Sequence, residues 1–235
     1  MAYSNSKKAS RAPLDTDAQY IAFLKTALRT LLTHEQTQAI ISAEYDDFVK
    51  GCNANVAGFR PEAKEAFDLC LAEWLLSNRF VPYQGSVQPV AAVYASICTP
   101  KLAVHSRSYM ESLAGSKLSL YNVLGVSAEL TLQDVVHSNR QVQHVQYSPL
   151  LPNLSEGEIL GLRLFTRSGI LCTGFGIYRF VGEIGKKLAQ SLTRDCSTYM
   201  RQFPGTDADT LDRTVVADRI VQTWVAQVEM IERKI

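Results

Sequence analysis

At 235 residues, 46% hydrophobic and 20% charged, the chain has the make-up of a globular protein able to bury a core in one domain or two. Its 24 Lys and Arg against 23 Asp and Glu give a net charge of +1, which excludes a global field that would steer it to nucleic acid or an anionic membrane; only a local patch could do so. Residues 1–14 carry Lys7, Lys8 and Arg11 among small polar residues and read as a disordered tail. They lack the apolar run of a secretory signal, and no later stretch is long and uncharged enough to span a bilayer. A cytoplasmic protein without a membrane partner is expected. Cys52, Cys70, Cys98, Cys172 and Cys196 are odd in number and widely spaced, so reduced, mostly buried thiols are expected rather than disulfides or a zinc site.

A helical region is predicted from about residue 15 to 115. Asp15 or Thr16 caps a helix whose apolar residues, among them Tyr20, Leu24, Ala27 and Leu31, recur at steps of three and four. Thr33-His-Glu-Gln36 reads as a capping box opening a second helix, with Ile41, Tyr45 and Phe48, that stops at Gly51. After a loop with Asn53, Asn55, Gly58 and Pro61, a third helix runs from Glu62 to Asn78 and is apolar over most of its circumference, so it belongs at the centre. Arg79 to Ser86 reads as a loop, followed by helices near Pro89–Ile97 and Ser106–Ala114.

At Gly115-Ser116-Lys117 the hydrophobic period changes from about 3.6 to about 2. Five segments rich in β-branched and aromatic residues follow: Leu118–Val126, Leu130–Val136, Val142–Tyr147, Glu158–Phe165 and Gly169–Val181. They predict a small five-stranded antiparallel barrel-like module over 116–181. Two C-terminal helices occupy 182–235. The first carries Ile184, Leu188, Leu192 and Cys196; the second is capped at Thr206 or Asp207, with an acidic start and a basic end that complement its dipole. The fold class is α+β.

Phe67-Asp-Leu-Cys-Leu-Ala-Glu-Trp-Leu-Leu-Ser-Asn-Arg-Phe80, then Ser116 to Leu124, Leu130-Thr-Leu-Gln-Asp-Val-Val136 and Leu154-Ser-Glu-Gly-Glu-Ile-Leu160 resemble a loosely defined, uncharacterised bacterial family. Its members pair a Trp-bearing helical segment with a small β module, and some add a Cys-rich zinc motif like that at the end of the SecA translocation motor. The likeness covers roughly residues 60–165. It implies a fold and no catalytic residue. This chain lacks the zinc motif, and His137-Ser-Asn-Arg140 stands where the family has a Thr-Gly turn.

Reactive constellations are weakly represented. Gly174-Phe-Gly176 with Gly169 invites comparison with a phosphate-binding turn, but the glycines lie inside an apolar strand pattern, where they mark a bulge or a barrel corner. His137, His144 and Asp134 are metal or general-base candidates without a third ligand at a telling spacing; His34 reads as part of a cap and His105 as a loop residue. No nucleophile motif or Walker-type loop occurs. We therefore expect no enzyme and no cofactor. The basic cluster Arg163, Arg167, Arg179, Lys186 and Lys187, beside Tyr147, Phe175, Tyr178 and Phe180, is the nucleic-acid-binding candidate. Val221, Trp224, Val228 and Ile231 on the long last helix are the candidates for a protein partner or self-association. The expected function is a binding or adaptor subunit of a larger bacterial assembly, with a nucleic-acid-binding regulator as the alternative.

Overall fold

A computed structural model describes residues 16–52, 55–98, 104–137, 142–147, 153–167 and 169–232. The expected tail at 1–14 and the Ser138–Arg140 part of the departing turn lie outside the described residues.

Helix α1 (Asp17–Thr33) opens on a capping box at Thr16: the Gln19 N–H donates to the Thr16 hydroxyl (3.3 Å), and the Thr16 N–H donates to the Gln19 side-chain oxygen (2.9 Å). The box expected at Thr33–Gln36 does not form. The Thr33 hydroxyl turns back to the Arg29 carbonyl inside α1, and Gln36 accepts instead from the Tyr83 hydroxyl. Helix α2 (Gln38–Cys52) follows, then α3 (Pro61–Asn78) with Pro61 in its first turn. From Leu69 to Asn78 every residue of α3 is buried, because α1, α4, α5 and α8 surround it. It is the central helix that its composition predicts.

The expected loop after α3 is a β-hairpin, β1 (Phe80–Tyr83) and β2 (Ser86–Pro89), in which Phe80 pairs with Pro89 and Tyr83 with Ser86. Gln84 and Gly85 form its two-residue turn with φ of 48° and 81°, the left-handed pair that a tight hairpin requires. Helices α4 (Val90–Cys98) and α5 (Val104–Gly115) complete the helical part, and His105 falls within α5 rather than in a loop.

The strands are β3 (Lys117–Val126), β4 (Leu130–Asp134), β5 (Val142–Val145), β6 (Ile159–Arg167), β7 (Ile170–Thr173) and β8 (Tyr178–Arg179). The antiparallel order is β5-β4-β3-β6-β7. The fifth expected strand is broken in two: β7 pairs with the far end of β6 and β8 with its beginning, while Gly174 to Ile177 leave the ladder. The sheet curls until its edges touch through one parallel bridge: the Gln146 N–H donates to the Leu171 carbonyl, and the Thr173 N–H donates to the Gln146 carbonyl, each at 3.0 Å.

Alternation along β3 sends Tyr121 and Val123 into a small core inside the curl, with Leu130, Leu132, Val145 and Leu160. Leu118 and Leu120, on the other face, join the main core with Tyr178, Phe175 and the helices. Helical part and sheet thus share one continuous core. Helix α6 (Ile184–Gln202) and a last helix close it; the latter runs as α7 (Ala208–Leu211), a π-helical stretch (Asp212–Val216) and α8 (Ala217–Glu232). Asp207 caps it by accepting from the Thr210 N–H (2.7 Å). All five cysteines are free, and all but Cys98 are buried. No helix among the described residues is long and apolar enough to cross a membrane.

Candidate functional site

Glu73 is the one acidic side chain in the buried run of α3, and it is fully enclosed. Its carboxylate accepts from the Phe175 N–H (2.7 Å) and the Gly176 N–H (3.0 Å). The Gly-rich turn is therefore an anion cradle, and its anion is the chain's own glutamate. The fit depends on missing side chains. A Cβ at position 174 would lie 2.6 Å from the carboxylate, and one at 176 would lie 2.9 Å from it and 3.0 Å from the Cys70 Cα. The glycines mark a break in a strand, as their setting in an apolar pattern predicts, and the break exists to reach Glu73. Burial pushes the Glu73 carboxyl above the ordinary range, against the pull of the two amides and Arg163.

A second cluster lies where β4 ends. Asp134 accepts from the N–H groups of Val136 (2.8 Å) and His137 (2.9 Å), a turn that folds the His137 ring back onto it. The ring nitrogens of His137 lie 2.9 Å from Asp134 and 2.6 Å from Asp212. Lys117 at 3.3 Å adds a second cation to Asp212. Hydrogen bonds to Asp134 and then Asp212 raise the His137 pKa to about 10. Burial works against the charged form of Asp134, but its bonds with His137 outweigh this and hold its pKa below the ordinary value. At neutral pH the ring is an imidazolium donating from both nitrogens, so it has no lone pair to act as a general base. Ser119, 3.3 Å from the same ring and buried, is not a nucleophile activated by it.

Asp212 belongs to the π-helical stretch, and so does its neighbour Arg213, which faces the other way. Arg213 donates to the carbonyls of Ser77 and Ala114 and lies over the Phe80 ring, 5.7 Å from its centre. The wider turn lets one short segment hold the sheet through Asp212 and the helical part through Arg213.

The basic cluster predicted from sequence does not form one continuous surface: Arg179, Lys186 and Lys187 are exposed, while Arg163 is not. Arg163 is fully buried, donating to the Asn78 side-chain oxygen and to the Ser116 carbonyl (3.3 Å), because the face of β6 that carries it is covered by helices. Arg167 pairs with Asp17 (3.0 Å) and lies over the Tyr20 ring. Arg179 pairs with Glu158 (2.8 Å) and Lys186 with Glu183 (2.9 Å), while Lys187 is exposed on α6. Phe175, Tyr178 and Phe180 are buried, and Tyr147 packs against the core inside the curl, so these rings offer no stacking platform. His144 stands apart from His137, against Thr131. Among the described residues no group of three His, Cys, Asp or Glu could hold a metal ion.

The candidates for a partner surface on the last helix are mostly turned inward. Val221 and Trp224 are buried, Trp224 edge-on against Tyr178 (5.4 Å), and Val228 packs against the same core. Ile231 is half-buried. The helix spends most of its apolar arc on its own chain, with Met230 exposed near its end.

The β1–β2 hairpin leaves an apolar surface uncovered. The inner side chains of the β1–β2 hairpin, Val81 and Tyr83, are buried against the helices. Its outer face carries Phe80, Pro82, Val87 and Pro89, with Phe80 46% and Val87 71% exposed. The four follow one another without a polar side chain between them, and the Arg213 guanidinium lies over the ring of Phe80 at one end. Sequence reasoning missed this face because it read the segment as a loop. It missed Glu73 too, although a lone carboxylate inside an otherwise apolar decapeptide is a legible sign of a buried partner. Comparison with family models, with curated proteins and with solved structures returns no match for the chain.

Proposed function

We propose that the chain is a non-enzymatic binding or adaptor subunit of a larger bacterial assembly, acting through protein–protein contacts. The observation that carries this reading is the outer face of the hairpin: four apolar side chains in register, Phe80, Pro82 and Val87 exposed and Pro89 half-buried, on the side away from the buried Val81 and Tyr83. Pro82 and Pro89 have no N–H to offer a further strand, so recognition there goes through side chains rather than strand addition. Four residues are far fewer than the roughly 20–30 a side of a stable interface, so this face is the apolar centre of a larger contact. The polar groups support the same reading from the opposite side, since Glu73, His137 and Arg163 are taken up in joining sheet to helices.

The nucleic-acid alternative has less to stand on. Small Greek-key barrels bind oligonucleotides on the outer face of their second and third strands, an analogy at the level of fold. Here that face presents Thr131, Gln133, Val142 and His144, without a Lys, Arg, Phe, Tyr or Trp.

The test is native purification from the host with sizing by light scattering. The expected result is a stoichiometric complex well above the 26.1 kDa chain, which Val87→Asp disperses without changing the melting curve. Recovery of the chain alone, or a complex indifferent to Val87→Asp and Phe80→Ser, contradicts the reading.

A further inference from the structure

Helix α6 buries Gly185, Leu188, Ala189, Leu192 and Cys196, which fixes the face it turns to solvent. Along that face Lys187, Gln190, Arg194, Ser197 and Arg201 follow one another at steps of three and four, all exposed. The three cations are seven residues apart, so they stand about 10.5 Å from one another on a line of about 21 Å. Four cations elsewhere meet carboxylates from other elements, Lys25 with Glu65, Arg79 with Glu44, Arg167 with Asp17 and Arg179 with Glu158, while Arg29, Arg107 and Arg219 are exposed singly. The α6 cations differ in lying in line on one helix face. Glu183 is taken by Lys186 rather than Lys187, and the adjacent Asp195 comes no nearer than 3.7 Å to Arg194, whose side chain stays 75% exposed. Arg201 turns its Nε to the Ser197 carbonyl of its own helix. The helix dipole favours Arg201 in the last turn but disfavours Lys187 in the first, so helix stability does not explain the whole line. At the far end Met200 and Phe203 are 50% and 53% exposed, the Phe203 ring resting on Tyr199.

We infer that this stripe docks an acidic amphipathic helix of a protein partner, with carboxylates at seven-residue spacing set against Lys187, Arg194 and Arg201 and an apolar side chain seated on Met200 and Phe203. The inference rests on the adaptor reading and supplies the chemistry of a partner. Interhelical pairs at heptad spacing repeat at the distance of these cations. A nucleic-acid duplex strand instead carries a charge about every 3.4 Å, and no ring is interleaved with the cations to stack on bases.

The probe is a synthetic helical peptide with Glu at i, i+7 and i+14 and a Leu at the end that meets Phe203, beside a scrambled peptide of equal composition and a single-stranded DNA of equal charge. Fluorescence anisotropy with the full chain at low and high salt is expected to give at least about tenfold preference for the in-register peptide. The triple variant Lys187→Glu, Arg194→Glu, Arg201→Glu removes that preference, and a peptide with Lys in place of its Glu residues restores it. Equal binding of the scramble, tighter binding of the DNA, or no rescue by the reversed peptide overturns the inference. A native complex that survives the triple variant leaves the adaptor reading standing without the stripe. Absence of any complex with the unaltered chain removes the adaptor reading itself.

Discussion

Glu73 and Asp212 are both carboxylates buried where the curled sheet meets the helices, yet they are satisfied by opposite means. Glu73 takes two backbone amides from a loop that only glycine can bring so close, a contact made by shape. Asp212 takes His137 and Lys117, two side chains that carry full charge, a contact made by ionisation. The first is rigid and intolerant of an added methyl; the second tolerates small displacements and answers to pH. One molecule thus fastens the same two parts twice, through different physics, and the two can be broken separately.

The largest effect is expected from Gly174→Ala. Its methyl would arrive 2.6 Å from the Glu73 carboxyl group, so that buried group must be displaced from the Phe175 and Gly176 amides that satisfy it. A loss of about 3 kcal/mol is expected in urea unfolding. Glu73→Gln, which keeps the shape, should cost less than half of that.

Next comes His137→Ala, which leaves Asp134 and Asp212 facing each other across a gap without the imidazolium. Charge-assisted bonds of this kind put the loss at about 2–3 kcal/mol at neutral pH, read from the same unfolding curves.

The third prediction separates the two fastenings by pH. The folded-state pKa of His137, about 10, lies above the 6.5 of a free ring. Its contribution is therefore complete below pH 6.5 and is lost as pH rises towards 10. Asp134, held below 3.8, contributes above that value and loses its share as pH falls through its lowered folded-state pKa. Melting curves of the parent and His137→Gln should converge as pH is raised from 6.5 to 10, whereas Gly174→Ala should stay displaced throughout. Parallel curves for all three would contradict the assignment. The smallest effect belongs to Arg167→Ala, whose partly buried pair with Asp17 and contact with Tyr20 should be worth about 0.5–1 kcal/mol.

The architecture was readable in the chain because periodicity reports which face of an element is apolar, and the change of period at Gly115 to Lys117 does mark the entry to the sheet. Periodicity does not report what covers a face. Arg163 and Arg179 sit on neighbouring strands as expected, but one points under the helices and the other out to Glu158, a distinction set by tertiary packing alone. The hairpin escaped notice because Pro82 and Pro89 argue against strand, and only the positive φ of Gln84 and Gly85 makes a four-residue pair viable there. The split of the last strand was foreshadowed by Gly174 and Gly176, though its cause lies a hundred residues away in Glu73. The clamp on His137 needed Asp212 from the last helix, 75 positions downstream, which no local pattern announces.

An NMR titration of the His137 ring tests most directly whether the molecule's titratable groups hold it together rather than perform chemistry. Both ring nitrogens should remain protonated through neutral pH, with the transition near pH 10. A ring that titrates near 6.5 would be a free base beside Ser119, and the adaptor reading would have to give way to a catalytic one.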